Sequence, residues 1–251
     1  MNLQQLRNEA WAIARELKTP DAQKLWPADE MNMYINRIYR DIARKTKCIR
    51  DARTPAIAII NLAVVDYTTL TLAANGLDYI YANDPGSMIY QANVCPYVFP
   101  LHKAIIDIDD VKIIEKQYKL YKVSSQKWMT NVVWEQTMGL PTEYATDLQN
   151  RSLAVNFRSD ENLTLQLAVK RMPLVDLEKD EDEPEIREDY HDFFRNGVLE
   201  QMYSKQDSEA FDMEKSGSYR AKYKKDITSI NRAEIKLNEM LSPNYAMDGH
   251  R

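Results

Sequence analysis

The 251-residue chain predicts an α+β protein: a helical bundle from two N-terminal and two long C-terminal helices, an inserted antiparallel β domain, and an extended C-terminal tail. Three observations predict it. Apolar residues recur at helical spacing at both ends of the chain, and the middle alternates β-branched and aromatic residues with period two. An acidic, proline-bearing run divides the two textures on the C-terminal side. The boundaries that follow are 1–53 for the N-terminal helices, 54–177 for the β-rich insertion, 178–240 for the long C-terminal helices and 241–251 for the tail.

The first helix is marked by Leu3, Leu6, Ala10, Ile13 and Leu17, the second by Met31, Tyr34, Ile38 and Ile42. The break between them ends in Pro27, Asp29 and Glu30. A proline suits a first helical turn, and acids suit the positive end of the helix dipole. Trp11 and Trp26 are expected to pack the pair together.

From Thr54 onward the segments AIAII, YTTLTL, LDYIY, AIIDIDDVKII, YKLYKV, SLAVNF and LTLQLAVK read as short strands. Asn75-Gly76, Asp84-Pro85-Gly86 and residues 159–162 punctuate them as turns. Residues 56–74 could instead form one buried helix, because a continuous apolar run is ambiguous by period; the alternation in YTTLTL favours strands.

After the acids 180–183, Ile186, Tyr190, Phe193, Phe194, Val198 and Met202 form an apolar stripe over five turns, predicting a helix from Pro184. A second long helix is expected from Asp207, a favourable N-cap, to about Met240. Its stripe of Ala210, Met213, Gly217 and Ala221 would let two helices approach closely. Residues 241–251 show no periodicity.

Composition excludes several functions. Lys and Arg number 33 against 38 Asp and Glu, a net charge of −5, which argues against a surface that grips DNA or anionic lipid everywhere. No stretch reaches the ~18 uninterrupted apolar residues that a membrane-spanning helix needs. Two cysteines, Cys48 and Cys95, lack a metal or redox spacing and are too few for a disulfide framework, so a soluble protein assembled in a reducing cytoplasm is expected. Six glycines form neither a dinucleotide fingerprint nor a phosphate loop, so no cofactor is expected. Cys95 and His102 could pair, but a packed cysteine beside a solvent-facing histidine asks for less.

Glu188, His191 and Asp192 share a helix face as metal ligands would, and Glu188-x-x-His191 is half of a di-metal carboxylate signature. No second copy exists, and one imidazole among scattered carboxylates would hold a hard cation weakly. The acids are read as complementing a helix N-terminus and His191 as a surface or interface residue, which leaves no catalytic and no metal residue assigned. Lys215, Arg220, Lys222, Lys224 and Lys225 are interleaved with Tyr219 and Tyr223, as in some nucleic-acid binders. A solvated helix face with the tyrosines packed beneath it explains the same residues.

The order of parts and five local motifs point to a family. Trp26-Pro27-Ala28-Asp29-Glu30, with Asn36 and the run from Tyr39 to Arg44 (YRDIAR), resembles the second-helix signature of the head-to-tail adaptor proteins of short-tailed bacteriophages. CIRDARTP (48–55) is similar to that family's first approach to its sheet, and GLPTEY (139–144) to its G-x-P-x-x-Y turn. PEIREDYH (184–191) resembles the start of its long helix, which Ala210-Phe211-Asp212, Tyr219 and Tyr223 continue. Ala73 to Pro100 is longer than a minimal member carries.

The resemblance implies a virion structural protein rather than an enzyme: an adaptor ring, expected to be dodecameric, beneath the portal protein. It would complete the head and present a platform for tail, nozzle or tail-fibre proteins while genomic DNA passes without sequence-specific contact. It also implies a place in the virion neck, with no membrane contact. Tyr219, Tyr223, Leu241, Pro243, Tyr245, Met247 and Arg251 are the expected portal or neighbour interface, the tail ordering on docking. Two rivals stand beside it: a DNA-binding regulator using 215–225, and a metal-dependent enzyme at Glu188, His191 and Asp192.

Overall fold

Asn2 begins the first helix. Its side chain accepts from Gln5 N at 2.9 Å while the Gln5 side chain accepts from Asn2 N, a reciprocal cap that satisfies two donors at the start of α1 (Leu3–Ala14). This computed structural model describes residues 1–16, 18–20, 23–62, 98–129, 139–148, 150–157, 159, 161–206 and 211–241. α1 buries Leu3, Leu6, Ala10 and Trp11, whereas Ile13 is 39% exposed: the buried face closes with the Trp11 indole, and the helix ends at Ala14. Leu17 lies outside the described residues. α2 (Ala28–Thr46) starts after Pro27 with Asp29 and Glu30 in its first turn, as expected, and buries Met31, Tyr34, Ile35, Ile38, Tyr39 and Ile42. Trp11 donates from Nε1 to Trp26 O, and Trp26 from Nε1 to Met202 O, both at 3.0 Å.

The protein is α+β, with six helices and nine strands among the described residues. It divides into two compact units, Met1–Ile49 with Met172–Arg251, and Arg50–Arg171.

In the first unit the acidic run does not open a long helix at Pro184. The α-helix, α5, spans Phe194–Tyr203, preceded by a 3-10 turn, Glu188–Phe193. The reason is that the backbone of this run is already engaged. Leu3 N donates to Asp182 O at 2.9 Å and Gln4 N to Asp180 O at 3.2 Å, so the acidic segment satisfies the orphan amides of α1. Glu185 N donates to the Tyr39 hydroxyl, and Asn36 bonds both N–H and C=O of Leu177. Helix α6 (Met213–Leu241) begins later than Asp207, a residue outside the described set; Asp212 caps it, accepting from Lys215 N at 2.9 Å.

The close approach between helices is at Gly197 of α5, not on the stripe expected of α6. A Cβ on Gly197 would lie 2.9 Å from Ile38 Cδ1 and 3.1 Å from Tyr223 Cδ2, whereas one on Gly217 meets nothing within 4 Å. Met213 is 78% exposed, Ala221 is exposed, and Ala210 is outside the described residues. The face of α6 that turns inward runs through Tyr219, Tyr223, Ile230 and Glu234, at steps of four, seven and four residues.

The second unit is organised on β9 (Leu163–Arg171), where residues alternate between a fully buried and a half-buried face, burying Leu163, Leu165, Leu167 and Val169. One edge of β9 takes β1 (Arg50–Asp51) and β2 (Ile59–Leu62) end to end; the other takes β4 (Ile105–Ile113), which pairs on with β5 (Tyr118–Lys119). Between β1 and β2 the AIAII stretch departs from expectation: Pro55–Ala58 is a helical turn, α3, because Pro55 fixes a first-turn φ and Thr54 O accepts from Ile57 N and Ala58 N. The strand begins only at Ile59.

A second sheet runs in the order β3 (Val98–Pro100), β8 (Ser152–Val155), β7 (Glu143–Ala145), β6 (Tyr121–Lys122). The expected antiparallel domain is therefore mixed, since β6 pairs β7 in parallel. The connection between them carries α4 (Ser125–Met129) and is long enough for the crossover that parallel strands require. YTTLTL, LDYIY, the turns at 75–76 and 84–86, and nearly all of the long stretch 73–100 fall outside the described residues.

Candidate interaction surface

The first unit holds a pocket of about 450 Å³ where α2, α5 and α6 meet. Arg37, Arg40, Arg44 and Lys45 of α2 line one side, and Arg220 and Lys224 of α6 the other. Spacings of three and four place Arg37, Arg40 and Arg44 on one outward strip of α2, while Ile38 and Ile42 turn into the core. Only Asp41 and Glu200 among the lining residues are acidic. Asp41 accepts from Lys45 Nζ at 2.6 Å and from the Tyr223 hydroxyl at 2.8 Å, and Glu200 faces Arg220 at 3.7 Å. Arg40 pairs outside the pocket, with Asp176 at 2.8 Å. Arg37, Arg44 and Lys224 are exposed and have no ion pair among the described residues. The pocket thus presents uncompensated positive charge, two of the three groups being guanidinium forks suited to carboxylate or phosphate.

The expected interface residues fall in different places. Tyr223 is buried at the pocket floor; burial, then Asp41, push its phenol well above the ordinary range, so it stays a neutral donor. Tyr219 is half-buried, its ring stacked on Tyr203 at 5.8 Å with Lys222 Nζ 4.8 Å from its centroid. Leu241 is the last residue of α6, and Pro243, Tyr245, Met247 and Arg251 lie outside the described residues. Within the basic run, Lys215 pairs with Asp212 at 3.0 Å. The strip Arg37, Arg40 and Arg44 was missed in the sequence, although its spacing marks one face of a helix.

His191 is a buried residue, not a surface one, because its ring packs edge-on against Phe194 and both nitrogens have partners. Nε2 lies 2.9 Å from Ile186 O, which can only accept, so Nε2 carries the proton and Nδ1 accepts from the Met1 amino group at 2.7 Å. Glu188 and Asp192 are exposed. Among the described residues no group of three His, Cys, Asp or Glu could hold a metal ion. His102 Nδ1 accepts from Ala104 N at 3.2 Å, while Cys95 is outside the described set. No described helix is long and apolar enough to cross a membrane.

In the second unit the Asp51–Arg171 pair and Tyr144 are buried titratable groups. Arg171 and Asp51 form an ion pair at 2.7 Å with both side chains 7% exposed. Burial alone would raise the Asp51 carboxyl, but bonds from the Thr54 hydroxyl, Arg53 N, Thr54 N and Arg171 hold it well below the usual carboxylate range. Tyr144 is pushed up to about 12 by burial and by Asp110, Asp107 and Asp109. Both are structural: Asp51 ties the turn before α3 to the end of β9, and Tyr144 fills the core between the sheets.

A family model described as SU10 adaptor protein matches residues 1–244. No curated protein matches the chain.

Proposed function

Because the chain belongs to the SU10 adaptor protein family, a family of structural proteins of the phage particle, we propose that it works as a ring in the virion neck. It sits beneath the portal, completes the head, and gives the tail proteins their attachment platform around the DNA channel. The observation that carries this reading is the family match over nearly the whole chain, residues 1–244. The four helices α1, α2, α5 and α6 form the bundle that packs against neighbouring copies, in a dodecamer matched to the portal. Residues 241–251, with Tyr219 and Tyr223, form the portal or neighbour interface. A net charge of −5 per copy gives a ring whose overall sign does not hold the DNA backbone moving through it.

Light scattering of the full chain with and without purified portal rings tests this. The expected result is a complex of portal and chain in fixed ratio; failure to join the portal at any concentration overturns the reading. Truncation after Met240 is expected to leave a folded chain that docks poorly, and unimpaired docking removes the role given to 241–251. The same protein in a DNA titration at low salt is expected to bind negligibly, where a regulator would bind with an affinity falling steeply as salt rises.

A further inference from the structure

The unpaired cations of the α2 pocket have a counterpart in the same chain. Along residues 178–183, Glu178, Glu181 and Glu183 are exposed and have no ion pair among the described residues. This segment is not a loose charge run. Asp180 pairs with Arg7, the carbonyls of Asp180 and Asp182 cap α1, and Asp182 accepts from Glu178 N at 2.9 Å and Lys179 N at 2.8 Å. The hydrogen bonds from Lys179 N and Glu178 N lower the Asp182 pKa and keep it ionised. Three carboxylates are therefore displayed from a backbone already fixed, so little ordering entropy opposes their docking.

They do not serve their own pocket. On α2, Asn36 and Tyr39 hold the segment, bonding Leu177 and Glu185, whereas Arg37, Asp41 and Arg44 face the pocket. At 3.6 residues per turn the two sets lie about 140° apart around the helix axis. Arg40, between them, is already neutralised by Asp176. Each chain thus carries a basic socket on one flank of α2 and a rigid acidic segment on the other, the arrangement of a heterologous head-to-tail contact.

We infer that the pocket lined by Arg37, Arg44 and Lys224 receives Glu178, Glu181 and Glu183 of a second copy of this chain, and that this contact links copies around the ring. The inference rests on the ring reading and adds the residues that join neighbours. Charge pairs of this kind set register and exclude wrong partners more than they add affinity, which suits an assembly that must close at one copy number.

Charge reversal tests it. Native mass spectrometry of the full chain at low salt, alone and on portal rings, is read for three proteins: unmodified, R37E/R44E, and E181K/E183K. All four side chains are exposed and unpaired, so unchanged circular dichroism and Tm are expected. Each variant alone places like charges in every contact and is expected to lose at least about tenfold in chain-to-chain association. Mixed one to one, every contact becomes complementary again, and rings alternating between the two variants are expected; a chain carrying all four reversals should recover too. Raised salt should weaken the unmodified contact as screening shortens the reach of the charges. Variants that assemble as well as the unmodified chain overturn the inference and leave the ring reading standing. Loss in R37E/R44E alone, unrescued by the acidic-segment variant and accompanied by lost binding to portal or to DNA, assigns the pocket to that partner and also overturns it. An unmodified chain that never oligomerises, even on portal rings, overturns the ring reading itself.

Discussion

The two units hold buried polar groups by opposite means. In Arg50–Arg171 the backbone pairs mainly with itself: β9 is laddered on both edges, and its apolar face fills a cluster with Val111, Ile113, Leu120, Tyr144 and Leu153. In the helical unit the connections between elements depend on side chains that reach backbone far away in sequence. Trp11 bonds Trp26 O, Trp26 bonds Met202 O, Asn36 bonds Leu177 and the Tyr39 hydroxyl takes Glu185 N. The difference follows from the elements. A sheet satisfies neighbouring strands through its own amides, whereas helices saturate themselves internally and leave their ends and connections needing other partners.

The β unit has its own side-chain stitches, Asn156 to Thr142 N and Glu143 N and Gln166 to Ala52 O, and a buried Asp51–Arg171 pair whose breaking carries the largest expected effect. Arg171→Met leaves the Asp51 carboxylate almost fully buried without its guanidinium, which costs about 3–5 kcal/mol. Denaturant unfolding, with hydrogen exchange at β9 amides, measures it, and a loss under 1 kcal/mol would show that Thr54 and the turn amides suffice. The sign with pH follows from the depressed Asp51 carboxyl. Its contribution is present above the ordinary carboxylate pKa near ~4 and is lost as pH falls from there toward the lower folded value. Asp51→Asn should flatten that acid limb.

In the helical unit the matching test is Asn36→Ala. It strips the buried N–H and C=O of Leu177 of partners at 2.8 and 2.9 Å, and two orphaned backbone groups cost about 2–4 kcal/mol together. Hydrogen exchange in residues 174–187 should rise more than in α5; uniform exchange would mean that the segment is held elsewhere. Gly197→Ala comes next. Alanine gains helix propensity of roughly 1 kcal/mol but meets Ile38 and Tyr223, and overpacking of 1–3 kcal/mol leaves a net loss of about 1 kcal/mol. Adding Ile38→Val removes the Cδ1 methyl 2.9 Å from the new atom and should recover part of it, as a Tm shift.

The same contrast decides what was legible in the sequence. α1, α2 and β9 were readable because each repeats its period within its own length, and β4 by its β-branched content although two register shifts interrupt its alternation. The buried side chains of α2 include the expected Met31, Tyr34, Ile38 and Ile42, with Ile35, Asn36 and Tyr39 between them and Ala43 and Thr46 beyond. β1, β7 and α3 were not, since two to four residues carry no period and exist through what they pair with. The stripe from Ile186 to Met202 is buried at most of its positions, yet the α-helix covers only its second half. Leu3, Gln4 and Tyr39, some 145–180 residues away, engage the backbone of the acids before it. The pocket was half visible: the basic run of α6 could be read, but its meeting with Arg37 and Arg44 is tertiary. The resemblance was carried by residues that turn out to do structural work, Asn36 and Asp51 among them.

Tyr223→Phe gives the smallest effect and sets the depth of the contrast. The hydroxyl donates to Asp41 at 2.8 Å, so this too is a side-chain bond joining α6 to α2. Unlike Leu177, however, Asp41 keeps a second partner, Lys45 at 2.6 Å, and its side chain is 27% exposed, so water can replace the lost donor. The expected loss is about 0.5–1 kcal/mol, well below that of Asn36→Ala. If the two substitutions cost the same, the number of side-chain bonds matters rather than their burial, and the distinction between buried and half-exposed stitching fails. If Tyr223→Phe is the milder, the helical unit is held chiefly where Asn36 closes on the segment before the acids, and the floor of the pocket is free to serve its neighbour.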